Sequence, residues 1–161
     1  MAFEMQSAVP AQIGIEHAAR VIDPCRADPN DDAAFGAIRR AYQALGGLAR
    51  GDDLAGLLED RSRGDFVSLA RLIVDGEIFA FEWRDTYWIP MFQLDLADLS
   101  VKRGLRQVLL ELAGGYDSWR LAAWFVEPNE WLACQRPVDL MDTNLSEVLQ
   151  AARADRFVAA G

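Results

Sequence analysis

Histidine and cysteine are scarce in this sequence, and their scarcity excludes several kinds of active site. The chain has 161 residues but only one histidine, His17, and two cysteines, Cys25 and Cys134. A single histidine near the N-terminus leaves the rest of the chain without a histidine-based triad, a histidine general base or a histidine-rich zinc site. Cys134 also lacks a histidine partner for nucleophilic catalysis. We expect both cysteines to be free thiols in a reducing compartment, because they are far apart in sequence and have no Cys-x-x-Cys spacing.

Other signatures of catalysis are also missing. The sequence contains no Gly-x-Gly-x-x-Gly segment, no P-loop and no Gly-x-Ser-x-Gly elbow. Carboxylates are plentiful, but several of them, such as Asp52, Asp53 and Asp117, stand where helix caps and turns are expected. The sequence therefore predicts a non-enzymatic binding protein with no catalytic, cofactor-binding or metal site.

Long apolar runs and an excess of basic residues are absent as well. No apolar run reaches the roughly 18 residues that a membrane span requires, and residues 1–12 lack the basic and then apolar pattern of a secretory signal. We therefore expect a cytoplasmic protein. The formal net charge of −9 disfavours nucleic acid in the mean field and favours a basic partner.

The residues that are present predict one compact domain that follows an N-terminal arm. Hydrophobic residues make up 52% and charged residues 25%, which is enough apolar material for a core. Prolines at 10, 24 and 29 mark residues 1–30 as the arm. Residues 31–99 are predicted to form a helix-turn-helix-like unit with a β-hairpin, and residues 100–161 a C-terminal helical bundle that binds a partner. The expected fold class is α+β, mostly α-helical.

Apolar spacing predicts three helices before the hairpin. The first, capped by Asp31 or Asp32 and ended by Gly46–Gly47, presents one apolar stripe: Phe35, Ile38, Tyr42 and Leu45. The second is a short helix through Leu54 and Leu57–Leu58, capped by Asp52 or Asp53. After a polar turn at residues 61–64, the third runs from about Asp65 to Val74. Its predicted inward-facing residues are Phe66, Leu69, Leu72 and Ile73.

A change to a period of two then predicts a β-hairpin. Residues 77–83 alternate between two faces, residues 84–86 form a turn, and residues 87–94 return. Pro90 removes one backbone donor from the second strand, so this strand is expected at an edge or at a bulge, as a two-stranded hairpin allows.

The last third of the chain is predicted to be helical. Ser100 is expected to cap a helix through Val101 and Leu112, and Asp117 to open a buried helix over residues 118–126. Short helices are expected to begin at Pro128 and Pro137. Asn144 and Glu147 resemble a capping box, which would start a final helix to Phe157.

The order of helix, turn, helix and hairpin between residues 52 and 94 is typical of a winged helix-turn-helix. This interpretation predicts that the following residues contact DNA: Arg61, Arg63, Ser68, Arg71 and Arg84. Acidic side chains at Asp65, Asp75 and Asp85 oppose it, because a DNA-binding surface usually shows clustered basic residues.

The last third also carries an aromatic motif. It contains Trp124-Phe125, Pro128-Asn129, Trp131-Leu132 and then residues 136–140, Arg-Pro-Val-Asp-Leu. This run resembles the toxin-binding C-terminal domain of the Xre/MbcA/ParS-type antitoxin family. Upstream, Pro90-Met91-Phe92-Gln93-Leu94 is similar to a Pro-x-Phe-Gln-Phe segment of related proteins, with Leu94 in place of the final Phe. The N-terminal portion does not look like the helix-turn-helix of that family.

The resemblance implies a small protein that binds and neutralises a cognate protein toxin, often of the RES-domain type, and that in many cases also represses its own operon. The implied partner-binding residues include the last helix and the C-terminus; they are Trp124, Phe125, Asn129, Trp131, Leu132, Arg136, Pro137, Leu140, Phe157 and Gly161.

Three functional hypotheses remain open at this point. The first is an antitoxin-like protein that binds a protein partner. The second is a winged-helix-like DNA-binding regulator, whose binding would be sensitive to salt because phosphate contacts release counterions. The third is a small-molecule-binding domain that uses its Trp and Phe residues as a pocket. We also expect a homodimer, since C2 dimers are the commonest oligomers.

Overall fold

The computed structural model describes residues 32–161 and shows a mixed α+β fold that is mostly helical. Its helices are α1 (Asp32–Tyr42), α2 (Gly51–Asp60), α3 (Phe66–Val74), α4 (Leu105–Leu112), α5 (Ser118–Val126), α6 (Pro137–Leu140) and α7 (Leu145–Ala160). Its strands are β1 (Leu48–Arg50), β2 (Phe81–Trp83) and β3 (Thr86–Pro90). The predicted arm, together with His17, Cys25 and Asp31, lies outside the described residues.

The strands form one antiparallel sheet in the order β1-β3-β2. In β2 and β3, Phe81 lies opposite Trp88 and Trp83 opposite Thr86, which confirms the predicted hairpin. Arg84 and Asp85 form its two-residue turn with φ angles of 49° and 57°. Strand β2, the first strand of the hairpin, is shorter than predicted, since residues 77–80 are not part of it. The expectation of a two-stranded hairpin was wrong, because β1 pairs with the other side of β3.

Pro90 therefore ends a central strand and not an edge strand. The N–H of Met91 donates to the carbonyl of Gly47 on the β1 side at 3.0 Å. Because successive backbone N–H groups point to opposite sides of a strand, the nitrogen of Pro90 faces the β2 side. By register, the residue opposite Pro90 on that side would be Phe79, which lies beyond the end of β2. The proline thus falls where the ladder between β2 and β3 has already ended.

The side chain of Gln93 replaces the missing ladder bonds. It is fully buried, with a relative exposure of 0%. Its Oε1 accepts from the N–H of Phe79 at 2.8 Å, and its Nε2 donates to the carbonyls of Phe79 at 2.8 Å and Pro90 at 3.1 Å. One amide thereby satisfies three buried backbone groups that strand pairing would otherwise satisfy.

The hydrophobic core joins the two halves of the chain. Residues from α1, the sheet, α4, α5 and α7 belong to one buried cluster. At its centre, the ring of Phe125 on α5 stacks on Phe79 at 5.7 Å and contacts Phe92 at 4.9 Å, measured between ring centroids. The hydroxyl of Tyr42 on α1 donates to the carbonyl of Ala122 at 2.7 Å, and burial raises the pKa of that hydroxyl well above its usual value. Helix α5 is therefore buried, as its apolar sequence predicts.

Several local predictions are confirmed. Phe35, Ile38 and Tyr42 form the buried stripe of α1, and positive φ angles at Gly46 and Gly47 end the turn that follows it. Asp117 caps α5 by accepting from the N–H of Arg120 at 2.8 Å. Helix α3 occupies Phe66–Val74, close to the predicted range from about Asp65 to Val74, and Pro137 is the first residue of α6.

Other local predictions were wrong, and competing hydrogen bonds explain some of the errors. Helix α4 begins at Leu105 after Gly104, because the carboxylate of Asp98 binds both the N–H and the hydroxyl of Ser100 in a preceding turn. Val101 forms a β-bridge to Leu94. Asn144 precedes α7 without capping it through its side chain.

Three further predictions were wrong: two concern where a helix starts, and one concerns a position expected to be buried. Asp52 and Asp53 lie inside the first turn of α2 and do not cap it. The turn after Pro128 is a 3-10 helix over Glu130–Leu132, so Pro128 does not begin it. Phe66, predicted to face inward on α3, has 58% of its surface exposed because it is the first residue of that helix.

Candidate functional site

A single carboxylate organises the C-terminal aromatic motif. Asp155 on α7 accepts three hydrogen bonds, one from α5 and two from the segment that follows it. The indole N–H of Trp124 donates to its Oδ2 at 2.7 Å, and the side-chain amide of Asn129 donates to the same oxygen at 2.6 Å. The indole N–H of Trp131 donates to its Oδ1 at 2.9 Å. We call these four residues the Asp155 cluster.

The backbone around Asn129 explains how the cluster forms. Asn129 caps the 3-10 helix at Glu130–Leu132, since its Oδ1 accepts from the N–H of Trp131 at 2.9 Å. Its own N–H donates to the carbonyl of Gln135 at 3.0 Å, and its carbonyl accepts from Cys134 at 2.9 Å. The loop closes on itself through Asn129, which fixes the indole of Trp131 relative to α7.

The cluster has a buried base and an exposed outer side. Trp124 and Asn129 are 6% and 8% exposed, whereas Trp131 is 62% exposed. On α7, Val158 lies one turn beyond Asp155, and Phe157 precedes it; their exposed fractions are 69% and 83%. A fixed tryptophan and two uncovered apolar side chains therefore lie at the C-terminal end of the molecule.

A small cavity of about 230 Å³ opens beside the exposed tryptophan. Its lining combines aromatic rings with carboxylates: Tyr116, Trp124, Glu127, Pro128, Asn129, Glu130, Trp131 and Asp155. Partial burial raises the pKa of Glu127, since desolvation disfavours the charged form. The cavity is thus a polar, negatively charged recess with aromatic walls.

The structure separates the predicted partner-binding residues into a surface set and a core set. Trp131, Phe157 and Gly161 are exposed and available to a partner. Phe125, Leu132 and Pro137 are buried, so their side chains hold the fold and do not reach the surface. Trp124 and Asn129 are also buried, and they donate hydrogen bonds to Asp155 from the interior.

The two remaining members of that prediction lie near α6. The guanidinium of Arg136 binds both carboxylate oxygens of Asp139 at 2.7 Å, and these hydrogen bonds raise the pKa of Arg136. Leu140 is half-buried against the core. Neither belongs to the Asp155 cluster or lines the cavity beside Trp131.

Sequence reasoning missed Asp155, although the sequence held a signal for it. Val148, Ala151 and Ala152 form the buried face of α7, and Asp155 continues this face at helical spacing. A carboxylate on the apolar stripe of a helix requires a partner, because burying an unpaired charge is costly. Tyr116, Glu127 and Glu130 were also missed, since their meeting depends on the turn at Asn129.

A larger apolar groove of about 530 Å³ lies between α3 and the hairpin. Its lining includes Leu69, Ile73 and Ile89, with Arg50, Asp52 and Asp85 among its charged residues. Large apolar side chains are exposed in this region: Phe66 58%, Val67 60%, Val74 84% and Tyr87 60%. The outer face of α3 is therefore largely apolar.

Most of the residues predicted to contact DNA are engaged within the chain. Arg61 donates to the carbonyls of Leu96 and Ala97 at 3.2 and 3.3 Å. The hydroxyl of Ser68 donates to the capping carboxylate of Asp65 at 2.8 Å.

The three other arginines of that set differ in their surroundings. Arg84 forms an ion pair with Asp32 at 2.6 Å and lies over the ring of Trp83 at 4.6 Å. Arg63 is exposed; the pKa of Asp98 is lowered mainly by two hydrogen bonds from Ser100, and the charge of Arg63 adds to this effect. Arg71 is exposed on α3. The five residues do not form one basic patch.

Within residues 32–161, no group of three or more His, Cys, Asp or Glu side chains is arranged to hold a metal ion. In the same part of the chain, Cys134 is an exposed free thiol. None of the described helices is long and apolar enough to cross a membrane.

Comparisons of the chain with protein-family models, with curated proteins and with solved structures found no match.

Proposed function

We propose that this protein binds a protein partner through its C-terminal surface, with Trp131 as the central contact. The observation that carries the proposal is an exposed tryptophan whose indole is fixed by a carboxylate from another helix. Tryptophan is enriched among the residues that dominate binding energy at interfaces. A side chain that is already held in place loses little conformational freedom on binding, which favours affinity.

The surroundings of Trp131 support the same proposal. Val158, one turn beyond Asp155 on α7, adds an exposed apolar side chain on the same side of the helix, and Glu127 and Glu130 supply a polar rim. An apolar centre with a polar edge is the usual composition of an interface. The net charge of −9 favours a partner with a basic surface.

The specific role that we propose is that of an antitoxin-like protein that neutralises a cognate toxin, of the RES-domain type in the simplest case. This step rests on the resemblance of residues 124–140 to the toxin-binding domain of the Xre/MbcA/ParS-type family. The surface position of Trp131 and of the last helix is compatible with it. A cytoplasmic location and a homodimer stay predictions alongside it.

Affinity capture from the source cells, followed by mass spectrometry, tests the proposal. We expect wild-type protein to recover a stoichiometric partner, and Trp131→Ala and Val158→Asp to lose it. Tyr87→Ala is the matched control, because Tyr87 is an equally exposed aromatic residue, at 60%, outside the C-terminal surface. Loss of the partner with the Tyr87 variant but not with the Trp131 variant would refute the assignment. A partner without toxin activity would refute the antitoxin role alone.

Operator binding is a second candidate, and the topology favours it. The order of two helices, α2 and α3, followed by the β2–β3 hairpin resembles that of a winged helix-turn-helix. The apolar outer face of α3 opposes it, since base edges are recognised mainly by hydrogen-bonding side chains. Duplex binding that weakens steeply with salt, and that is lost in an Arg63→Glu, Arg71→Glu double variant, would establish this candidate.

The groove beside α3 keeps the small-molecule hypothesis open. Its volume of about 530 Å³ lies in the range of ligand pockets. A thermal-shift screen with apolar ligands tests it, with Leu69 and Ile73 as the side chains to enlarge.

A further inference from the structure

The cavity beside Trp131 has the composition of a site for an organic cation. The rings of Tyr116, Trp124 and Trp131 and the carboxylates of Glu127 and Glu130 line the same 230 Å³. A guanidinium or ammonium group over an aromatic face is attracted by the negative potential of that face, and tryptophan gives the strongest such attraction. Carboxylates at the edge of the same recess add a direct charge contribution.

The hydrogen bonds of the Asp155 cluster favour this use of the rings. Both indole N–H groups donate to Asp155, so the rings are anchored at their edges and a ligand does not compete for those donors. Donation to an anion also increases the electron density of an indole ring, which strengthens its attraction for a cation. The ring face of Trp131, which is 62% exposed, and not its N–H group, is therefore the aromatic surface offered to a ligand.

The charge of the recess is not neutralised by the described residues. Neither Glu127 nor Glu130 takes part in any ion pair within residues 32–161. Arg120 shows a cation on one of these rings, since its guanidinium lies over the ring of Tyr116 at 4.6 Å while it donates to the carbonyl of Gly115 at 3.3 Å. The protein thus already pairs an arginine with one ring of this lining, while Glu127 and Glu130 form no ion pair within residues 32–161.

We propose that this cavity receives the guanidinium group of an arginine in a basic segment of the partner. A planar guanidinium can stack on an indole while its N–H groups bind carboxylates at its edge, a combination that suits arginine better than lysine. This inference rests on the proposed function and names the chemistry of the partner.

Titration of full-length, ¹⁵N-labelled protein with N-acetyl-arginine amide, followed by NMR, tests the cavity without the partner. We expect saturable shifts of the indole N–H signals of Trp131 and Trp124, with a Kd on the order of 10 mM, as befits one small contact. N-acetyl-citrulline amide, the uncharged isostere, should bind at least about ten-fold more weakly if the charge is what the site recognises. Equal affinities for the two compounds, measured from the NMR shifts, would overturn the inference.

Variants locate the binding in the cavity. Combined Glu127→Gln and Glu130→Gln substitutions keep shape and remove the charge, and we expect them to weaken arginine binding by about ten-fold. The matched control is Glu147→Gln, at an exposed position in the first turn of α7. Unchanged affinity in the double variant, or an equal loss in the control, would overturn the inference.

The same double variant separates this inference from the proposed function. If a captured protein partner binds the double variant as tightly as wild type, the arginine site is refuted and partner binding through Trp131 stands. If arginine binds but no protein partner is recovered, the cavity is a cation site and the proposed function falls.

Discussion

Replacing Gln93 should destabilise the protein more than any exposed substitution of the same type. In Gln93→Leu, the N–H and C=O of Phe79 and the C=O of Pro90 lose their buried partners. An unsatisfied buried group costs about 1–3 kcal/mol, and carbonyls tolerate under-satisfaction better than N–H groups do. We therefore expect a loss of about 3–5 kcal/mol, which is a large part of the 5–15 kcal/mol that is typical of domain stability.

Urea unfolding at equilibrium, followed by tryptophan fluorescence, measures this loss. Gln107→Leu is the matched control, because Gln107 is exposed on α4; it should change the free energy of unfolding by less than about 0.5 kcal/mol. The comparison requires equal m-values, so that the midpoint reports stability. A loss below about 1 kcal/mol in Gln93→Leu would show that water or a backbone shift satisfies these groups, and would refute the reasoning.

Gln93→Glu adds a pH test of the same hydrogen bonds. A protonated glutamic acid, like glutamine, can both donate and accept, whereas the ionised form can only accept. Burial raises the folded-state pKa of the new carboxyl above its unfolded value of about 4.3. The destabilisation caused by ionising the buried carboxyl is therefore absent below the unfolded pKa and grows as pH rises towards the folded pKa. Relative to wild type, this variant should be less destabilised at about pH 4 than at about pH 7.

Three further predictions follow from other contacts. Asp155→Ala should cost about 2–4 kcal/mol, because it leaves two buried N–H donors unpaired, and should speed hydrogen exchange of the exposed indole in NMR spectra. Gly104→Ala should cost at least about 1 kcal/mol more than Gly114→Ala in urea unfolding. Both glycines have positive φ, +83° and +84°, but only at Gly104 would a Cβ lie 2.3 Å from Leu145; equal losses would contradict this. Asp65 has a pKa lowered mainly by hydrogen bonds from Ser68, so its contribution should be present above its unfolded pKa and be lost as pH falls. The stability gap between wild type and Asp65→Ala should thus narrow from about pH 7 to about pH 3.

Local sequence signals predicted those parts of the fold that local chemistry controls. Helix positions followed from apolar spacing, as in α1 and α5, and from short-range caps such as Asp117. The hairpin followed from alternation and a short turn. These features depend on neighbours within a few residues, which a single sequence displays.

Features that depend on distant residues could not be predicted in the same way. The pairing of β1 with β3 joins residues about forty positions apart, and a strand of three residues is too short to show an alternating pattern in the sequence. Pro90 predicted an edge strand because it lacks a backbone donor. The sequence did not show that the side chain of Gln93, outside the strand, replaces the lost pairing. At the candidate site, the motif containing Trp131 was visible in the sequence, but the carboxylate that holds it lies on another helix.

The bond between Asp155 and Trp131 also makes the order of the last helix and the presentation of the binding surface two parts of one equilibrium. By thermodynamic linkage, a ligand that holds Trp131 must stabilise the end of α7 to the same extent that an ordered α7 improves affinity for the ligand. Amide protection in the final turns of α7 would therefore report occupancy at Trp131, which lies outside that helix. Conversely, a fusion near Gly161 that loosens these turns would lower affinity for a ligand of Trp131 even if it left the side chains of the surface unchanged.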